Sequence, residues 1–255
     1  MPFTLSHPAA VIPLARGRLV PSALVVGSVV PDVPYFFGLG GLRGATHVPW
    51  GMVTVDLGLG LGLFAAFHLL WKRPLLALTP AWAHARLAGP AAGFRRPMLP
   101  WVVPSILVGT GTHLFWDAFT HQRHSFAGAL PWLVTTSWGG LALNRWLQYA
   151  SGVIGAVVVV GWLVRWARSA PAVAVPSGRL PGRAAWAVAG WLTAATGAGV
   201  LLGAITLINQ QDVPRTFHMT LASAVEGGIA AFALALSMYG LAWTALSPAG
   251  ERSGR

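Results

Sequence analysis

The stretch GTHLFWDAFTH, residues 111–121, places two histidines and an aspartate at four-residue intervals within an apolar run. On an α-helix, residues four apart share one face and lie roughly 6 Å from each other, so His113 and Asp117 can bind one cation together. His121 lies on the same stripe but about 12 Å from His113. It would therefore serve a second ion, hold substrate, or curl back beyond the helix end. The alternative is a buried, hydrogen-bonded His–Asp pair that braces a helix bundle.

Three further residues can join this pair from earlier in the chain. TLSHPAAVIPLAR predicts a short helix, and a turn near residues 17–20 would make it antiparallel to the segment 19–37. His7 precedes that turn by about 11 residues and Asp32 follows it by about 13, so the two are expected at nearly equal depth. His47, in LRGATHVPWG, stands in a loop that can reach the same place. A loop histidine at the lipid interface is the alternative.

These residue types favour a metal site. The chain contains no cysteine, which excludes thiolate ligands and thiolate catalysis. Imidazole and carboxylate ligands without thiolate favour Zn²⁺, as one or two ions. His47 is expected to complete or close the site, and Asp32 is expected to act as a ligand or as the base that takes a proton from water. The predicted metal ligands are His7, Asp32, His113, Asp117 and His121.

The composition indicates an integral membrane protein. Of the 255 residues, 55% are hydrophobic and only 9% are charged, whereas a soluble domain carries roughly a quarter charged residues. A net charge of +11 would suggest nucleic-acid binding in a soluble protein. Here the basic residues fall between apolar runs, where they set topology, so no nucleic-acid partner is expected. The predicted fold class is all-α: a polytopic membrane helix bundle of about six hydrophobic helices plus a short N-terminal helix.

A single integral-membrane domain is expected over residues 1–255. Spanning helices need about 20 mainly apolar residues. An N-terminal helical hairpin at 4–37 contains the least regular span, 19–37, which ends in a Pro-Asp-x-Pro break. The segments 72–99 and 168–183 are predicted to be basic loops. The remaining spans are predicted near 52–71, 100–119, 147–167, 184–208 and 219–246. A C-terminal tail is predicted at 247–255.

The positive-inside rule gives an orientation. The two basic loops lie in the cytoplasm, so the loops 38–51, 120–146 and 209–218 lie outside. Four of the six acidic residues then fall at a similar depth in the outer half of the membrane. Since intramembrane ionisable residues usually face a cavity or a partner, this convergence predicts a site towards the outer face. The four residues are Asp32, Asp56, Asp117 and Glu226.

Four stretches, taken in order, resemble the bacterial membrane family known as domain of unknown function 4184. They are FTLSHPAAVIPL, GSVVPDVPYF, THVPWG and GTHLFWDAFTH. More distantly, the chain is similar to the LexA-binding inner-membrane metal-dependent hydrolases. These relatives have an N-terminal His, a Pro-Asp-x-Asp-His segment, a His-Arg-Gly-x-Thr-His segment and a later His-x3-Asp. The resemblance implies a metal site at His7, Asp32, His47, His113 and Asp117.

The chain also departs from the pattern of these hydrolases. The residues 33–35, Val-Pro-Tyr, replace the second Asp and the His of one segment, and Leu42 replaces the first His of another. His121 would then substitute in part for the missing ligands. A site with fewer ligands holds one ion rather than two, or has lost its metal.

The leading functional expectation is a membrane-embedded, metal-dependent hydrolase of the bacterial inner (plasma) membrane. Its partners would be membrane lipid and a lipid-linked or amphipathic ester or phosphoester. One alternative is a proton-coupled small-solute transporter that uses the buried His and Asp side chains as a relay. The other is a non-catalytic membrane scaffold. The sequence leaves the oligomeric state open.

Overall fold

The computed structural model describes residues 4–91, 96–121, 129–172, 179–209 and 217–246. Almost all regular structure in these ranges is helical, which confirms the predicted all-α fold class. Five of the described helices are long and apolar enough to cross a membrane, in agreement with the five spans predicted after residue 50. Their bounds are Pro49–Leu78, Pro97–Thr120, Leu143–Ser169, Gly182–Leu207 and Met219–Leu246. The predicted tail at 247–255 lies outside the described residues.

The helices and strands follow in chain order. The α-helices are α1 Pro8–Val11, α2 Pro21–Val29, α3 Val33–Phe36, α4 Arg43–Thr46, α5 Pro49–Val53, α6 Val55–Ala66, α7 Lys72–Leu78, α8 Ala81–Ala91, α9 Val102–Thr120, α10 Trp132–Thr135, α11 Leu143–Ser169, α12 Gly182–Asn209 and α13 Phe217–Leu246. Short 3-10 helices cover Thr4–Ser6, Ile12–Leu14, Val30–Asp32, Gly40–Leu42 and Arg96–Trp101, and a π-helical turn covers Phe67–Trp71. The strands β1 Ser137–Trp138 and β2 Leu141–Ala142 pair antiparallel across two glycines with positive φ.

The chain forms two compact units. One comprises Met1–Phe64 and Arg95–Arg168, and the other comprises Ala65–Phe94 and Ser169–Arg255. The expectation of a single integral-membrane domain stays a prediction.

Two predicted segments differ in detail from the structure. The segment 19–37 contains only the nine-residue helix α2 before a 3-10 turn at Val30–Asp32. Pro31 has no N–H to donate, so it cannot continue an α-helical ladder. The segment 72–99, predicted as a basic loop, is helical through Leu78 and again over Ala81–Ala91. The first of these helices continues because lysine and arginine are good helix formers, and a π-helical turn at Phe67–Trp71 precedes the proline at position 74.

In the first unit, α2 and α9 pack at backbone contact through glycines. A Cβ on Gly27 would overlap the carbonyl of Ile106, and a Cβ on Gly109 would overlap the carbonyl of Leu24. Such close approach of small residues is how membrane helices gain packing energy without a hydrophobic driving force. The Thr110 hydroxyl donates to the Gly27 carbonyl at 3.2 Å, which fixes the register of the pair.

The N-terminal segment docks on α11 in the same unit. A Cβ on Gly155 would lie 2.8 Å from Ser6 Cβ, so only a glycine lets the segment approach this closely. Gly17, with φ +66°, turns the chain from this segment towards α2. Val20 N, just before α2, donates to Ser105 Oγ of α9 at 2.8 Å.

In the second unit, α12 and α13 form a hairpin of glycine contacts. Gly199 and Gly203 face Gly227 and Ser223 across this interface. Tyr239 of α13 is buried and donates its hydroxyl to the Pro74 carbonyl of α7 at 3.2 Å.

The α2–α9 contact predicts that two glycines of α9 differ in how much their replacement by alanine lowers the thermal stability. Gly109→Ala would place a methyl against the Leu24 carbonyl and 2.8 Å from Ser28 N, so we expect the overpacking to cost about 1–3 kcal/mol and to lower Tm by about 2–12 °C. Gly111→Ala is the matched control, since its nearest neighbour is Met52 Sδ at 3.9 Å. Thermal loss of helical circular dichroism in detergent measures both. Equal Tm values for the two variants would contradict the close packing.

Candidate metal centre

Five predicted site residues meet in the first unit, although four separate segments supply them. His7 precedes α1, Asp32 ends the 3-10 turn after α2, and His47 follows α4. His113 and Asp117 lie one turn apart on α9. Two groups of three ligand atoms lie within 4.8 Å of one another: His7, Asp32 and His113, and His47, His113 and Asp117.

The spacing between the imidazoles and carboxylates suits a four-coordinate cation. His47 Nε2 lies 3.4 Å from Asp32 Oδ1 and 3.6 Å from Asp117 Oδ2. His113 Nε2 lies 3.7 and 3.8 Å from the same two oxygens. Around tetrahedral Zn²⁺ with bonds of about 2.0–2.2 Å, neighbouring ligand atoms lie about 3.3–3.6 Å apart. Two of the four separations fall in this range and two are slightly longer, so the four residues come close to the spacing of a tetrahedral zinc site.

The same distances argue against simple ion pairing. Charge-assisted hydrogen bonds between nitrogen and carboxylate oxygen are about 2.7–2.9 Å long. Within the part of the chain that the structure describes, Asp32 Oδ1, His113 Nε2 and Asp117 Oδ2 are buried and make no hydrogen bond. Each such atom costs about 1–3 kcal/mol, and more if it is charged. A cation held by all of them would supply the missing partner.

The ring nitrogens and carboxylate oxygens that face away from the cluster make hydrogen bonds with neighbouring groups. His113 Nδ1 donates to the Ser28 carbonyl at 2.8 Å, which leaves the lone pair on Nε2 facing the carboxylates. Thr4 Oγ1 donates to Asp32 Oδ2 at 2.6 Å, and Thr46 Oγ1 lies 2.8 Å from His47 Nδ1. Outer hydrogen bonds of this kind orient metal ligands and fix their tautomers.

His7 is placed to add a further ligand. Its ring stacks on His113 with a centroid distance of 4.0 Å, and its Nε2 lies 3.9 Å from Asp117 Oδ1. Burial lowers the pKa of His7 to about 3, and the nearby His113 acts in the same direction. The imidazole is therefore neutral at physiological pH, which is the form that binds metal.

His121 lies beside the cluster, outside both groups of three. Its Nδ1 is 3.3 Å from Asp117 Oδ2. Arg145 donates to Gln148 Oε1 at 2.8 Å, so Gln148 Nε2 donates to His121 Nε2 at 3.1 Å. This leaves the proton of a neutral His121 on Nδ1, where it faces Asp117. These hydrogen bonds favour a role for His121 in orienting Asp117. Metal ligation by His121 stays a prediction.

The structure adds residues that sequence reasoning missed. Arg43 Nη2 lies 3.8 Å from Asp117 Oδ2, and Thr4 holds Asp32. A signal for Arg43 was present, since it stands four residues before His47 and the His47 N–H donates to the Arg43 carbonyl. Thr4 gave no comparable signal, because a hydroxyl near a histidine is too common to single out.

The other two acidic residues of the predicted convergence belong to neither group of three. Asp56 is buried in the first unit but is in neither group of three. Glu226 belongs to the second unit.

A small pocket reaches the cluster between the N-terminal segment, α9 and α11. It offers about 20 Å³ to a water-sized sphere, which is room for about one water molecule. Its lining includes His7, Asp32, Asp117, Gln148 and Ser151. Water can therefore meet the candidate ligands from this side.

Comparison with known proteins then identifies the chain. Residues 1–241 match the family described as Domain of unknown function (DUF4184). The chain belongs to this family. No curated protein and no solved structure matched it. The predicted family is confirmed, the more distant likeness to LexA-binding hydrolases stays a prediction, and the function of this DUF4184 member has to be argued from the site.

The Thr4–Asp32 hydrogen bond predicts a measurable effect on metal affinity. Thr4→Val removes the donor while keeping the shape, so we expect zinc affinity to fall about 10–100-fold. Thr112→Val is the matched control on α9, because the Thr112 hydroxyl bonds only to the Gly109 carbonyl among the contacts resolved for it. Competition with a zinc chelator measures both affinities. Indistinguishable values would show that Thr4 does not orient a ligand.

The position of His121 predicts that its replacement lowers the affinity for zinc but not the number of zinc ions bound at saturation. His121→Ala and Gln148→Leu should each weaken zinc binding about 10–100-fold and leave its saturating stoichiometry unchanged. His113→Ala should lose the ion instead, because it removes a ligand. Titration with zinc followed by elemental analysis separates the two effects. Loss of an ion from His121→Ala alone would make His121 a ligand.

Proposed function

We propose that this chain is a membrane-embedded, metal-dependent hydrolase of an amphipathic or lipid-linked ester or phosphoester. Asp32, His47, His113 and Asp117 would bind Zn²⁺, with His7 as an additional ligand. The observation that carries the proposal is the convergence of four buried ligand atoms at 3.4–3.8 Å from their neighbours.

The residues around the pocket supply the remaining parts of such a reaction. Zinc bound at this site would lower the pKa of a water molecule to about 7 and so make hydroxide available. His7 borders the pocket as the additional ligand, and burial lowers its pKa so far that it is a weak base. Asp32 also borders the pocket, and its carboxylate would hold the ion or take the proton of the bound water.

The helix that carries the centre supports a substrate from the bilayer. On α9, His113 and Asp117 are buried while Val108 and Phe115 are exposed. One face therefore suits contact with acyl chains and the other carries the polar site. The proposal includes the bacterial inner membrane, with the site towards its outer face, because the predicted cytoplasmic loops are rich in Lys and Arg.

A proton-coupled transporter is the second candidate. The break in α2 at Val30–Asp32 is an observation in its favour, since transporters build binding sites from interrupted helices. A proton relay, however, needs hydrogen-bonded neighbours, and the separations of 3.4–3.8 Å between the cluster atoms suit a cation better. A scaffold held by His–Asp pairs meets the same objection.

Metal content tests the proposal directly. We expect about one zinc per chain in detergent-purified protein, and we expect His113→Ala and Asp117→Ala each to lose most of it. His68→Ala is the control, since His68 lies in the second unit beside Lys72. Elemental analysis gives the stoichiometry, and hydrolysis of chromogenic acyl esters and phosphodiesters in mixed micelles gives the activity.

The rival functions give different results. Unchanged zinc in both variants would remove the metal from these residues. Metal-free protein that drives proton-dependent solute uptake in proteoliposomes would establish the transporter. Variants that lose only their fold, with no zinc and no activity in the unaltered protein, would support the scaffold.

A further inference from the structure

We propose that the second unit binds the headgroup of an anionic phospholipid where the end of α7 meets the start of α12, and that Arg86 and Arg179 bind its phosphate. This lipid site goes beyond the proposed hydrolase function and does not depend on it. It is carried by two guanidinium groups that are hydrogen-bonded to one exposed turn, in segments of the chain that contain no acidic residue.

The turn that follows α7 is held in one shape by contacts with two other segments. His84 of α8 is 4% exposed, and its Nδ1 donates to the Leu76 carbonyl at 3.0 Å. The backbone N–H of Leu180 donates to the Ala77 carbonyl at 3.1 Å. These contacts join the end of α7, the start of α8 and the residues that lead into α12.

Two arginines are hydrogen-bonded to this turn. Arg179 Nε donates to the Thr79 carbonyl at 3.2 Å, and Arg86 Nη1 donates to the Trp82 carbonyl at 3.0 Å, both at the exposed surface. The two carbonyls are three residues apart, so they lie roughly 11 Å or less from each other. A guanidinium has five N–H donors, so each of these bonds leaves donors for a further acceptor. The turn therefore keeps two positive charges side by side at the surface.

The position of this turn matches the depth of lipid headgroups. One candidate membrane span ends at Leu78 and another begins at Gly182, and the hydrogen bond between Leu180 and Ala77 brings these two ends together. Phospholipid headgroups lie just beyond the apolar core of the bilayer. Trp82 and Trp186 are 63% and 80% exposed near the two span ends, and tryptophan is enriched at this level of a membrane. The arginines thus lie where lipid phosphates lie.

Charge complementarity selects an anionic lipid. The segment 65–94 contains three Lys and Arg residues and the segment 169–208 contains two, and neither contains Asp or Glu. No carboxylate of these two segments can therefore neutralise the arginines. A zwitterionic headgroup brings its own ammonium group close to its phosphate, whereas an anionic headgroup keeps a net negative charge. Guanidinium groups also bind phosphate oxygens through two parallel hydrogen bonds.

Lipid titration followed by native mass spectrometry tests the proposal on the full chain in detergent. We expect dioleoyl phosphatidylglycerol to bind about 10-fold more tightly than dioleoyl phosphatidylcholine. Arg86→Ala and Arg179→Ala should each weaken binding of the phosphatidylglycerol about 5-fold, and the double variant about 25-fold. Binding of the phosphatidylcholine should stay unchanged, since it does not depend on the net charge of the headgroup.

A double variant of the first unit is the matched control. Arg16→Ala with Arg18→Ala removes the same amount of charge from the surface, and Arg18 likewise packs against a tryptophan, Trp101, at 5.3 Å from the ring centroid. We expect its affinity for the phosphatidylglycerol to stay within about twofold of the unaltered protein. An equal loss in both double variants would show that binding follows the total charge, which overturns the site. Equal affinities of the unaltered protein for the two lipids would overturn it as well, whether or not the variants fold.

Discussion

The structure of the first unit depends on how two buried carboxylates are compensated. Asp32 and Asp117 are 1% and 4% exposed, and an isolated ionised carboxylate in such surroundings is strongly unfavourable. Histidine nitrogens approach both, but at distances longer than hydrogen bonds. One divalent cation would compensate both charges and satisfy the imidazole lone pairs at once. The unfavourable burial of the two carboxylates would therefore favour the binding of a cation between them.

The packing of the unit keeps the two carboxylates together. Asp117 is fixed by α9, whereas Asp32 comes from the turn that Pro31 forces at the end of α2. Gly27 and Gly109 bring the two helix backbones into contact, and the Ser28 carbonyl then accepts the Nδ1 proton of His113. A larger residue at this crossing would separate the helices. It would also weaken the hydrogen bond to the Ser28 carbonyl that fixes the tautomer of His113. Packing and chemistry are therefore set by the same contact.

The sequence revealed the parts of the site that follow a local rule. The four-residue spacing of His113 and Asp117 predicts a shared helical face, and long apolar runs predict the five spanning helices. The turn that brings His7 to Asp32 could be reasoned from a glycine and from chain lengths. The helical continuation to Leu78 was missed because lysine and arginine end an apolar run without ending a helix. Thr4 and Gln148 could not be found, because their roles depend on contacts between segments far apart in sequence.

This mixture of local and distant contributions has a consequence for how the site forms. His113 and Asp117 are preorganised as soon as α9 exists, but Thr4 and His7 arrive only when the N-terminal segment docks against α11. That docking depends on Ser6 approaching the backbone at Gly155. Asp117 is then oriented from the α11 side by the chain Arg145–Gln148–His121 and approached from the other side by Arg43. The N-terminal segment that carries Thr4 and His7 also borders the pocket, so the same docking contact places these two candidate residues and part of the pocket lining.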